Sequence, residues 1–254
     1  MMSRRLLTVL LCCLPLLSVA ATDEGIPLKK AMIDTHDKAA QWRGAKYYMQ
    51  YCQSCHSVRF MRYDGLVAGL GVSDTDVEAL KKRLEASNQR LNDYMLTPLD
   101  PKQAEKAYGH VPPDLTLIAR QRGIDWLYTY MTGFYQDLSR PSGVNNLLVP
   151  GVSMPNIFQP FQGVQEPVYR QREVMIDGKP QEIKEISHLN VTTPGSMSTR
   201  EFNQMVLDII DFLAYTAEPA KASRQRIGVW VIIFLLICGI VAFFLKKEFW
   251  KDIH

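Results

Sequence analysis

The chain has 254 residues, 47% of them hydrophobic and 22% charged, with 15 glycines and 14 prolines. That balance excludes a disordered, collagen-like or polytopic membrane protein and leaves one core-forming domain with room for an anchor. The formal charge of +3 is small and evenly spread, so it gives no electrostatic footprint for a nucleic-acid partner. The chain opens on Met-Met-Ser-Arg-Arg, followed by an apolar run from Leu6 to Val19 and small residues at Ser18 and Ala20. A basic start, a short apolar stretch and small residues predict a signal peptide over 1–20, cleaved after Ala20. An uncleaved anchor is the alternative, but the run would span only about 21 Å as a helix. Cleavage removes Arg4 and Arg5 and takes the charge from +3 to +1.

The next predicted element is a helix from about Asp37 to Cys52, with Ala40, Gly44, Ala45, Tyr48 and Tyr51 at helical spacing. It leads into Cys52-Gln53-Ser54-Cys55-His56. Two thiols three positions apart with a histidine directly after them match the attachment pattern of c-type haem. The thiols can form thioethers to the two vinyl groups of one porphyrin, and the imidazole is then carried under the iron as an axial ligand. Three other readings compete. A thioredoxin-like pair needs a strand before the motif and a helix starting at it. A Cys52–Cys55 disulfide leaves His56 without a role. A zinc site needs further ligands, and His36, His110 and His188 show no ligand spacing.

A charged surface helix is predicted from about Asp74 to Leu91. Beyond it, Met154 lies in Val149-Pro-Gly-Val-Ser-Met154-Pro155, a loop held by prolines on both sides. A thioether sulfur is a soft, neutral ligand, and a His/Met pair raises the potential of haem iron while leaving no open coordination position. Met154 filling a packing gap is the alternative. Strand signals are confined to about Val168 to Ile183, where Asp177-Gly178 can turn a small hairpin. Ser198-Thr-Arg-Glu201 reads as a capping box. It opens a helix whose apolar face is Phe202, Met205, Val206, Ile209, Ile210 and Leu213, and which Pro219 stops.

From Ile227 to Leu245 no side chain is charged, and at about 1.5 Å per residue this stretch spans about 28 Å, enough for a transmembrane helix. Basic residues flank it on both sides, so orientation rests on export of the N-terminus. Residues 21–226 are then the exported, periplasmic body, with net charge 0, and 246–254 a cytoplasmic tail. Cys12 and Cys13 leave with the signal peptide and Cys238 packs within the anchor, so only the two motif cysteines remain in the body.

The chain resembles the cytochrome c1 family, the haem c subunit of the bacterial cytochrome bc1 complex. Trp42-Arg-Gly44 with Tyr48, Cys52 to Ser57 and Arg62-Tyr63 look like its attachment segment, and Pro112-Pro113-Asp114-Leu115 with Arg120 like its haem pocket. Met154-Pro155 stands where its methionine ligand falls. Met197-Ser198, Phe212-Leu213 and Ala217-Glu218-Pro219 before a single terminal anchor repeat its closing pattern. The resemblance implies a mostly α, c-type cytochrome fold enlarged by insertions, plus one C-terminal transmembrane helix. Its first and last soluble helices should cross, a contact that Gly44 suits. It also implies one covalently attached haem c, ligated by His56 and Met154, with Pro113 packed on it and Arg120 paired to a propionate. The implied partners are cytochrome b, a Rieske iron-sulfur protein and a cytochrome c acceptor, in a dimeric complex of the inner membrane, ubiquinol–cytochrome c reductase. Service to another oxidase or reductase, or a haem-free thiol redox role, are the alternatives.

Overall fold

Asp37 starts the first helix by accepting the Ala40 N–H on its carboxylate, 3.0 Å away, and α1 then runs Lys38–Tyr47. The computed structural model describes residues 26–176 and 179–251. The expected signal peptide over 1–20 and the Asp177-Gly178 turn lie outside the described residues. After α1 the helix widens into a π-helical turn, Tyr48–Cys52, that delivers the first motif cysteine. Then come β1 Val58–Arg62, α2 Tyr63–Leu70, α3 Asp74–Ala86, β2 Tyr94–Met95 and α4 Pro101–Tyr108. Two short helices, α5 Ile118–Arg122 and α6 Ile124–Thr132, precede β3 Phe134–Gln136 and β4 Val144–Asn146. The chain closes with α7 Gln159–Gln162, β5 Gly163–Ile176, β6 Lys179–Pro194, α8 Thr199–Ala217 and α9 Lys221–Phe249. Each of the three sheets is a two-stranded antiparallel ladder, β1 with β2, β3 with β4 and β5 with β6.

The core is built on the crossing of α1 and α8. The predicted apolar face of α8 is buried in full, with Phe202, Met205, Val206, Ile209, Ile210 and Leu213 all at 2% exposure or less. Each such side chain contributes about 1.5–3 kcal/mol when removed from water. The predicted capping box is present, Ser198 Oγ accepting the Glu201 N–H at 3.3 Å while the Glu201 carboxylate accepts the Ser198 N–H at 2.8 Å. At the crossing a Cβ on Gly44 would stand 1.9 Å from the Asp208 carbonyl oxygen and 2.9 Å from Phe212 Cβ. The missing side chain is therefore what lets the two backbones meet. One turn on, the Tyr48 and Phe212 rings lie 5.3 Å apart. Polar pairs flank the seam. Arg43 grips the buried Asp208 carboxylate with two hydrogen bonds of 2.7 and 3.0 Å, and Gln41 donates to Asp211 Oδ1 at 3.3 Å.

Three boundaries differ from the sequence expectation. The helix expected over 74–91 stops at Ala86, because the chain turns at Asn88, which takes a positive φ of 54°. It is not wholly a solvated surface either, since Leu80 and Leu84 are buried. The hairpin expected over 168–183 is far longer, paired from Gly163↔Pro194 to Ile176↔Lys179. Register shifts at Val164/Gln165 and Val168/Tyr169 interrupt the alternation that marks a strand, and Val168, Tyr169, Ile183 and Val191 are exposed. With no face fully buried, no clean period of two was written into the sequence.

The last helix, α9, is the helix among the described residues long and apolar enough to cross a membrane, with a mean hydropathy of 3.0 over an 18-residue window and none of it buried. It encloses the predicted span Ile227 to Leu245. Its first turns hold Arg224, paired with Glu218 at the end of α8.

Replacing Gly44 with Ala forces the helices apart and is expected to cost about 3 kcal/mol. Thermal unfolding of the detergent-solubilised chain should then show a Tm lower by about 6–12 °C, and an unchanged Tm would refute the close contact. The second prediction concerns charge. Burial pushes the Asp211 carboxyl up to about 6, with Asp37, Asp34 and Asp208 adding to the shift against the Gln41 hydrogen bond. Because the folded value lies above the unfolded one, ionisation of Asp211 costs stability as pH rises through the window from about 4 to 6. Asp211→Asn should raise Tm at pH 8 and lose that gain by about pH 4; a gain equal at both pH values would contradict the shift.

Candidate functional site

The π-helical turn hands over to a tight turn in which the Cys55 and His56 N–H groups both donate to the Cys52 carbonyl, at 3.0 and 2.9 Å. Cys52 is buried, Cys55 half-buried, and both thiols are free. Burial, and then the neighbouring Cys55, push the Cys52 thiol up to about 12, so it is uncharged in an apolar setting. The Tyr48 hydroxyl donates to the His56 carbonyl at 2.6 Å and fixes the far end of the turn.

The His56 ring is oriented from across the site. Its Nδ1 lies 2.8 Å from the Pro113 carbonyl oxygen. A carbonyl only accepts, so Nδ1 carries the proton and Nε2 keeps its lone pair for a metal. Burial holds the imidazole below its ordinary value, partly opposed by the bond to Pro113 and the charge of Asp114. The ring is therefore neutral at neutral pH, as a metal ligand must be. The Pro113 carbonyl is itself held in place by the residues that follow it. Asp114 accepts the Arg59 N–H at 3.0 Å, Arg59 Nε at 3.1 Å and the Thr116 N–H at 3.0 Å, and the Leu115 N–H donates to the Ser57 carbonyl at 2.8 Å.

Met154 comes to the same place on a loop organised by two buried asparagines. Asn145 Oδ1 accepts the N–H groups of Asn146 and Gly151, and Asn146 Oδ1 accepts that of Leu148. Tyr51, Cys52, Cys55, His56, Pro112, Met154 and Pro155 line a single cleft that opens to solvent. Of the predicted site residues, the structure thus brings together Cys52, Cys55, His56 and Met154. Pro113 contributes its carbonyl, while its neighbour Pro112 lines the cleft. Arg120 is exposed on α5 and lies outside the lining, and among the described residues its side chain makes no hydrogen bond or ion pair. A second hollow, lined by Met49, Gln53, Tyr63 and Arg83 among others, holds none of the four.

The residues suit a covalently held haem. Two thiols, an imidazole with one nitrogen free and a thioether sulfur share one largely apolar cleft. The competing zinc reading lacks partners, since among the described residues no three His, Cys, Asp or Glu side chains gather as a metal site. Sequence reasoning missed Tyr130, whose hydroxyl donates to Met154 Sδ at 3.4 Å; burial pushes that hydroxyl up to about 12. Trp126 and Tyr130 stand four apart on α6, and their rings stack at 5.0 Å. Nothing in the spacing pointed to Met154.

Residues 28–253 match the model of the Cytochrome C1 family. The chain is 41% identical to a protein named cytochrome c1 from Allochromatium vinosum, over 93% of this chain and 94% of that one. It is 38% identical to a protein of Nitrosomonas europaea named ammonia monooxygenase gamma subunit, over 92% of each. A mitochondrial cytochrome c1 haem protein of Saccharomyces cerevisiae is 28% identical over 87% of this chain and 69% of its own length.

Proposed function

Because the chain belongs to the cytochrome c1 family, whose members carry a c-type haem, we propose that it is the membrane-anchored electron carrier of a ubiquinol–cytochrome c reductase. It takes electrons from a Rieske iron-sulfur protein and passes them to a cytochrome c acceptor, in a dimeric complex with cytochrome b. The observation that carries this reading is the convergence of Cys52, Cys55, His56 and Met154 on one cleft. A haem c bound there supplies a reversible one-electron iron couple. Cys52 and Cys55 attach its two edges covalently. His56 would offer Nε2, in the tautomer set by the Pro113 carbonyl, and Met154 its sulfur, as the two iron ligands. With both ligands supplied by the protein the iron would keep no open position, which suits electron transfer rather than substrate chemistry, and a His/Met pairing would favour a raised potential. Arg120, exposed on α5, is the residue we assign to a propionate, a match for its guanidinium fork, and Pro112-Pro113 would pack at the cleft wall.

The chain topology follows from the same reading. Segment 1–20 directs export and is removed, 21–226 is the periplasmic haem domain, 227–245 crosses the inner membrane and 246–254 stays in the cytoplasm. The exposed apolar α9 supports an anchor, and covalent attachment suits a cofactor held outside the cell membrane. The relative named as a gamma subunit of ammonia monooxygenase supports a second reading, in which the same anchored domain serves a different oxidoreductase. Purification in mild detergent separates the two: cytochrome b and a Rieske subunit should accompany the chain, and their absence sinks the first reading.

Two substitutions test the site. Cys55→Ala should abolish two-thioether attachment, read as loss of the haem c absorption and of the haem mass from the denatured chain; an unaltered spectrum contradicts the assignment. Met154→Leu should keep the covalent haem yet give a high-spin iron and a lower midpoint potential, and a low-spin spectrum with unchanged potential rejects Met154 as ligand.

A further inference from the structure

Tyr130 is the one polar side chain with a hydrogen bond to the Met154 sulfur among the described residues, the hydroxyl standing 3.4 Å from Sδ. We infer that Tyr130 is a positioning residue for that sulfur, holding the thioether in one orientation and favouring the reduced state of the iron it ligates. The inference rests on the reading of Met154 as an iron ligand. Thioether sulfur carries two lone pairs and is a weak acceptor. A hydroxyl that occupies one of them leaves a single lone pair to point into the cleft, so the hydrogen bond selects the rotamer that presents it. It also draws electron density from the sulfur. Ferric iron depends on ligand donation more than ferrous iron does, so the bond weakens ligation of the oxidised state more and shifts the couple toward reduction.

The donor is fixed well enough to act in this way. Its ring stacks on Trp126 at 5.0 Å with the planes 9° apart and meets Phe134 edge-on at 5.2 Å. The Arg122 guanidinium lies over the Trp126 ring, 5.1 Å from its centroid. Tyr130 is also tied to the ligand loop through a second route. The side chain of Asn146, 1% exposed, donates to the Tyr130 carbonyl at 2.8 Å and accepts the Leu148 N–H at 2.9 Å. One buried amide thus sets the helix that carries the hydroxyl and the start of the loop that carries the sulfur. The distance between donor and acceptor is held by backbone on both sides rather than by two free side chains.

Tyr130→Phe removes the oxygen and keeps the stacking ring, so the fold is retained. In the detergent-purified, haem-loaded chain the ratio of reduced to oxidised protein at a fixed ambient potential should fall about threefold, about 30 mV at 59 mV per tenfold. The near-infrared charge-transfer band between sulfur and ferric iron should shift or weaken. If the wild-type chain shows that band and Tyr130→Phe leaves both the band and the ratio unchanged, the positioning role is overturned while Met154 stands as ligand. If the wild-type chain lacks the band, Met154 is not the ligand and both readings fall together.

Discussion

Everything in the soluble domain is referred to the place where α1 and α8 touch. Gly44 brings the Asp208 carbonyl to within what would be 1.9 Å of a Cβ, a separation that no other residue type allows. The contact fixes the end of α1, and so the position of Cys52, five residues beyond its last residue Tyr47. It also fixes α8, which gives way at Pro219 to the anchor α9. The turn that carries the cysteines and the long apolar helix α9 are therefore linked through one helix crossing, with little loop between them to blur the geometry. The Arg43–Asp208 ion pair and the Gln41–Asp211 hydrogen bond sit at this seam. They set the register of two helices whose contact is otherwise apolar and tolerant of sliding.

The second constraint is the grip of residues 113–116 on residues 56–60. The Pro113 carbonyl can only accept, which decides the tautomer of His56, and the Asp114 carboxylate, bound three times, decides where that carbonyl points. A ligand imidazole is commonly oriented by a partner on its other nitrogen. Here the partner is main chain, in a segment whose two prolines leave it few backbone conformations. Rigidity in that loop is what makes a backbone atom a dependable partner.

Much of this is legible in the sequence. The Cys52–His56 motif is contiguous, so its chemistry survives in one dimension. The capping box at Ser198 and the apolar face of α8 are local and strongly periodic, and both are present as expected. The hairpin from 163 to 194 was seen only in its middle, because a ladder with exposed faces and register shifts leaves no period in its hydrophobicity. Short helices such as α2, α5 and α6 were missed because one or two turns hold too few positions to display a period. Tyr130 was missed for a different reason. Its partner is 24 positions away, and the link runs through a carbonyl and an amide that spacing cannot reveal.

The two proposed axial ligands differ in how the chain secures them, and the difference follows from where they lie in sequence. His56 is adjacent to Cys55, so once the thiol is tethered the imidazole is held by local geometry and needs only a hydrogen bond to orient it. Met154 arrives from about a hundred residues further on, and a long flexible closure of that kind is costly in chain entropy. The structure meets that cost with short-range polar order. Asn145 and Asn146, at 9% and 1% exposure, between them accept three backbone N–H groups of the loop, and prolines at 150 and 155 remove further freedom. The loop is therefore largely set before its sulfur meets any metal. A preorganised thioether and an imidazole oriented by a backbone carbonyl suit the proposed one-electron site, whose ligands would then need little rearrangement when its charge changes.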